Sequence, residues 1–193
     1  MATNRIFTAA KEYLSNFQLK IPRTAPKLSK ASIKWRPPLG ELYKTNYDGA
    51  VFSESGEAGI GVVVQDAKGE VIAALAEKIT YPGSVVLLEA LATRRAAKFI
   101  VELGISLFEF EGDLEVVYRA LRTTDWSHPS FGQIIKDIVG LLRTFSFSHT
   151  RQQGNCVVHA LAKRAIVFFP LLVWMEHVPF NVKQFVILDS ATT

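Results

Sequence analysis

Three stretches of the chain, 42–50, 58–65 and 71–80, hold apolar residues over strand-length windows. A period of two puts Tyr43, Thr45 and Tyr47 on one face of the first stretch and Lys44, Asn46 and Asp48 on the other. Asp66, Ala67, Lys68 and Gly69 make a tight turn between the second and third stretches, so these two form a hairpin. The three are expected as an antiparallel meander. After Tyr81, Pro82 and Gly83 the period becomes helical. Ser84 is a suitable N-cap, Val85, Leu88, Ala92, Ala96, Phe99 and Leu103 make one apolar face, and Gly104 suits the position past the helix end. Arg94, Arg95, Lys98 and Glu102 form the solvated face.

The second half repeats strand and helix. A fourth strand is expected over 107–112, a helix over 114–122, a surface loop with Trp126 and His128 over 123–131, a helix over 130–142 and a fifth strand over 144–149. Asn155 caps a helix carrying Val158, Leu161, Ala162, Ala165 and Phe169. An apolar tail over 168–189 holds a last strand at 184–188. The strand–helix–strand order implies a parallel neighbour for the first strand. The fold class expected is α/β, a five-stranded mixed sheet with helices on both faces.

Upstream, Ile6, Ala9, Ala10, Leu14 and Phe17 have helical spacing, and a linker with Pro22 and Pro26 leads to Trp35, whose ring can cover a core edge. A chain of 193 residues that is 49% apolar suits one domain plus an arm, divided as 1–34 and 35–193. Charge sharpens that division. Through Arg36 there are eight bases and one acid, a net of +7, which leaves −3 for the rest of a chain whose net is +4. Such an arm can hold a polyanion; a solvated linker and an organelle transit segment are the other readings.

The single cysteine, Cys156, excludes an internal disulfide framework and a cysteine zinc cluster. The longest apolar run, around 165–175, is broken by Pro170 and falls short of the roughly 18 residues of a membrane helix. The first residues lack the apolar core of about 7–15 residues that marks a secretory leader. A nuclear or cytoplasmic monomer away from membranes is expected. Gly56, Gly59 and Gly61 precede no helix and make a weak phosphate loop.

Three acids fall at informative places. Asp48 ends the first strand, where an Asp-Gly turn is the simpler account. Glu89 lies on or beside the apolar face of the long helix, where a carboxylate is costly unless partnered or able to reach water. Asp113 stands between the fourth strand and a helix, where Asp is also a preferred N-cap. If the fourth strand adjoins the first, the two aspartates become neighbours and the helix can bring Glu89 to them. Three such carboxylates repel one another and call for a cation. Hard oxygen donors select Mg²⁺ or Mn²⁺, and a pair of these ions supports phosphodiester cleavage. His159, in the first turns of its helix, is by itself a common surface histidine.

This order of elements resembles the ribonuclease H type 1 fold, and most closely its plant retroelement-derived, reverse-transcriptase-associated subgroup. The stretches that carry the resemblance are 46–50 around Asp48, 59–66, 88–92 around Glu89, 109–113 ending at Asp113, and 151–162 from Arg151 through Asn155 to His159. The resemblance implies metal ligation by Asp48, Glu89 and Asp113, with His159 at a fourth position usually held by Asp. It also implies Mg²⁺ or Mn²⁺ as cofactor and cleavage of the RNA strand of an RNA–DNA hybrid. It places Gly49, Arg151 and Asn155 against the nucleic acid, with the backbone at Gly49 near the 2′-hydroxyl that separates RNA from DNA. Histidine at the fourth position and the lack of a basic protrusion between the middle helices leave a second reading open: a catalytically weak domain that binds nucleic acid or protein.

Overall fold

A computed structural model describes residues 35–142, 146–150, 154–167 and 170–190. The arm over 1–34, its expected helix at 6–17, and Arg151 lie outside the described residues. Strand β1 (Tyr43–Phe52) pairs antiparallel with β2 (Glu57–Gln65), which pairs antiparallel with β3 (Val71–Thr80). Strand β4 (Phe108–Gly112) lies parallel to β1, and β5 (Ser146–His149) lies parallel to β4. The sheet has six strands in the order β5-β4-β1-β2-β3-β6, not five, because β6 (Leu171–Met175) adds antiparallel to β3.

Helices cover both faces of this sheet. On one face α1 (Val85–Glu102), α2 (Glu115–Thr123) and α3 (Gly132–Leu141) close a core with Tyr47, Ile60, Val62, Leu75 and Phe110. Phe110 is its aromatic centre, stacked on Phe147 and edge-on to Phe108 and Tyr47. On the other face α4 (Cys156–Arg164) and α5 (Phe180–Ser190) pack Val157, Val158, Leu161 and Val182 onto Val63 and Ala74. Among the described residues no helix is long and apolar enough to cross a membrane.

Local chemistry explains most boundaries. The Ser84 hydroxyl accepts from the Leu87 amide at 3.4 Å and starts α1, and Gly104 follows its end with φ +70°. Thr124 at φ 50° terminates α2. Val85, expected inward, is exposed, whereas Glu89 is buried. Gly59 and Gly61 are spaced for close approach rather than for a phosphate. A Cβ at Gly59 would stand 2.0 Å from the Ala162 carbonyl oxygen, and one at Gly61 would stand 2.3 Å from that of Val158. Their bare backbone lets α4 lie directly on β2.

The tail differs from its sequence reading. The expected strand at 184–188 is instead part of α5, and the tail's strand is β6. Val182, Phe185 and Val186 share one side of α5 and pack against the α4 cluster. Neighbouring Ile187 and Leu188 mask that spacing, so the local sequence reads as a β run. Packing on α4 decides the outcome, as tertiary burial outweighs weak strand propensity.

Candidate metal centre

The register of β1 and β4 sets the site. Asn46 stands opposite Glu111, and two residues further along both strands come Asp48 and Asp113. They therefore come side by side just past the last paired residues of β1 and β4, Asp113 beyond the end of β4 and Asp48 within β1, which continues to Phe52 and does not turn at Asp48. Glu89 arrives from α1, which crosses the same end. Gly49 admits it: a Cβ there would lie 2.6 Å from Leu88 Cγ and 3.1 Å from Glu89 Oε1. One oxygen from each of Asp48, Glu89 and Asp113 lies within 4.8 Å of the others.

Asp113 is not the N-cap of α2, which falls on Leu114 without a side-chain bond. Asp48 does accept from the Gly49 amide, at 2.9 Å, as a turn aspartate would. The same amide also donates to Glu89 Oε1 at 3.0 Å and so ties the two acids together. Glu89 Oε2 is buried and meets no donor. Burial, followed by the charges of Asp48 and Asp113, pushes the Glu89 carboxyl up to about 9. A buried oxygen with no donor among three converging carboxylates fits a hard divalent cation.

His159 lies beside this cluster. Its Nδ1 is 2.6 Å from Asp48 Oδ2, the oxygen of Asp48 that Gly49 does not bind. Its ring is about one-third exposed, whereas Asp48 is buried.

Asn155 occupies the N-cap of α4 but makes no side-chain cap bond. Its amide donates to the Tyr47 carbonyl at 2.8 Å and accepts from Asn46 Nδ2 at 3.1 Å. A buried polar layer that the sequence did not reveal lies beneath these contacts. Lys44 Nζ meets Glu109 at 3.0 Å, Glu111 at 3.2 Å and the Arg36 carbonyl at 2.7 Å. Trp35 Nε1 donates to Asn46 Oδ1 at 3.1 Å. The available signal was the shared face of Lys44, Asn46 and Asp48; the partners Glu111 and Trp35 required the tertiary fold.

The family profile described as Reverse transcriptase-like matches residues 46–165, from the strand holding Asp48 to just beyond α4. The chain belongs to the reverse transcriptase-like family. Its fold is the ribonuclease H type 1 fold. A type 1 RNase H from the halophilic archaeon Halobacterium salinarum is 22% identical at a TM-score of 0.57, over 65% of this chain and 97% of that one. The LC11 enzyme of the same type, isolated from compost and solved with an RNA/DNA hybrid, is 22% identical at a TM-score of 0.58, over 64% and 96%. The N-terminal RNase H domain of a Mycobacterium tuberculosis protein is 20% identical at 0.57, over 66% and 94%. No curated protein matches the chain. This member of the family brings together Asp48 from within β1, Asp113 just past β4 and Glu89 from α1, the first and last of these buried and Asp113 half-buried.

Proposed function

We propose that this chain is a divalent-metal-dependent endonuclease that hydrolyses the RNA strand of RNA–DNA hybrids, within the plant retroelement-derived subgroup of the fold. The observation that supports this most is the convergence of Asp48, Glu89 and Asp113 around the unpartnered Glu89 Oε2. The three carboxylates would hold Mg²⁺ or Mn²⁺. Bound there, such ions supply Lewis acidity toward a phosphoryl oxygen and toward the attacking water.

The side chains divide the remaining work. Gly49 N–H orients the inner oxygens of Asp48 and Glu89. His159 Nδ1 holds the outer oxygen of Asp48, and its Nε2 is the atom left to take a proton or to add a neutral ligand. The backbone around Gly49 would face the RNA 2′-hydroxyl. Arg151 and Asn155 would contact the hybrid, the Asn155 amide while it also holds Tyr47 and Asn46. Water adds at phosphorus, the P–O bond to the leaving oxygen breaks, and that oxygen takes up a proton.

One observation favours a weaker enzyme or a pure binder. The bases near the middle helices are engaged, Arg119 with Glu115 at 2.5 Å and Arg94 with Asp137 at 3.2 Å. They offer little free charge for phosphates, which supply most non-specific affinity. Incubation with an end-labelled hybrid and Mg²⁺ or Mn²⁺, beside Asp48→Asn, separates the readings. The expected result is cleavage by the wild type and a loss of at least about a hundredfold in the variant. Hybrid binding without cleavage by either protein would replace the hydrolase with the binder.

A further inference from the structure

The buried polar layer joins β1, β4 and α4, the elements that carry or adjoin Asp48, Asp113 and His159. Trp35 Nε1–H can only donate, so it fixes which end of the Asn46 amide faces it. Asn46 Oδ1 accepts that bond. Both amide hydrogens are then directed away, one to Glu111 Oε2 at 2.9 Å and one to Asn155 Oδ1 at 3.1 Å. Glu111 is two residues before Asp113 on β4, and Asn46 is two residues before Asp48 on β1. Asn155 in turn donates to the carbonyl of Tyr47, the residue just before Asp48. Its own carbonyl receives the His159 amide at 3.1 Å, the first helical bond of α4. Trp35, Asn46, Glu111 and Asn155 are all buried.

We propose that Trp35 and Asn155, joined through Asn46, are positioning residues that hold the backbone at Asp48 and Asp113 and the His159 helix at metal-binding separation. The proposal rests on the reading of the site as a metal centre. The Trp35 indole takes part through its N–H and not only through packing. The segment by which the chain enters the domain is thereby part of the scaffold of the site. Loss of either residue leaves the carboxylates in place but lets their spacing relax. Partners behind metal ligands commonly matter about 10–100-fold for metal affinity.

Calorimetric titration of Mn²⁺ into the metal-free full chain reads the site without nucleic acid. Trp35→Phe keeps a ring beside Lys44 and deletes only the donor; Asn155→Ser keeps a good cap and deletes both amide bonds. The expected result is Mn²⁺ binding about tenfold weaker in each variant, with hybrid binding in EDTA unchanged for Trp35→Phe. Asp48→Asn marks loss of the site itself. Unchanged Mn²⁺ affinity in the folded variants overturns the proposal, as does absence of Mn²⁺ uptake by the wild type or failure of both variants to fold. Asp48-dependent Mn²⁺ uptake that both variants weaken, without cleavage of any hybrid, sinks the hydrolase and leaves the positioning role standing. Cleavage by a wild type whose variants bind Mn²⁺ equally well does the reverse.

Discussion

At Glu89, burial and charge act in the same direction. The carboxyl is taken out of water and set against Asp48 and Asp113, and both effects favour its neutral form. The stability consequence has a definite sign. An unfolded Glu releases its proton near 4.5, whereas the folded one holds it up to about 9. Between those values the unfolded chain binds fewer protons than the folded chain, so the metal-free protein loses stability as pH rises. The slope reaches at most about 1.4 kcal/mol per pH unit. Thermal melts of the metal-free protein from pH 5.5 to 8 should show the midpoint falling, and Glu89→Gln should flatten the trend. A slope that survives in Glu89→Gln would place its origin elsewhere. Mn²⁺ must displace the same proton, so its affinity should rise over that window. The sequence made Glu89 conspicuous as an acid on an apolar face. It could not distinguish a buried carboxyl from one whose tip reaches water, because that depends on Gly49 and Leu88 closing over it.

Among the elements, α4 depends most on a neighbour. It lies on β2 only because Gly59 and Gly61 present bare backbone, and that approach brings His159 to Asp48. Gly61→Ala sets a Cβ 2.3 Å from the Val158 carbonyl and 2.5 Å from the Ala162 amide nitrogen, so the helix must move outward. Overpacking of this kind costs about 1–3 kcal/mol. The urea midpoint should fall accordingly, and hybrid cleavage should fall with it as His159 withdraws. A wild-type midpoint would mean that α4 has room to shift freely. From sequence these glycines resembled hairpin punctuation, since the helix that needs them begins about a hundred residues later. The long helix α1 was easier to read, because its cap, its period and its terminating glycine are all local.

Across the whole molecule, charge is unevenly placed: +7 through Arg36 against −3 for the remainder. The paired bases on α2 and α1 leave phosphate affinity to other parts of the chain. Removal of residues 1–34 should weaken hybrid binding at low salt and flatten its dependence on salt, as read by fluorescence anisotropy across a salt series. Equal affinity at low salt with and without the arm would contradict this.

The sequence by itself determined the order of strands and helices through β5, since each has a period or a turn of its own. It also determined that Asp113 follows a strand and that Glu89 interrupts an apolar face, but it set the end of the first strand at Asp48, whereas β1 runs on to Phe52 because pairing with β2 continues past Asp48. The tertiary structure alone decided the rest. Parallel pairing of β1 with β4 turned Asp48, within one strand, and Asp113, just past another, into neighbours. Burial, with the charges of Asp48 and Asp113, turned Glu89 from a border acid into one whose carboxyl is pushed up to about 9. Packing on α4 made a helix of the expected strand at 184–188. The same long-range contacts gave Trp35, Asn46, Glu111 and Asn155 one another as partners. Separations of up to 111 residues between hydrogen-bonded side chains leave no periodic trace in a sequence.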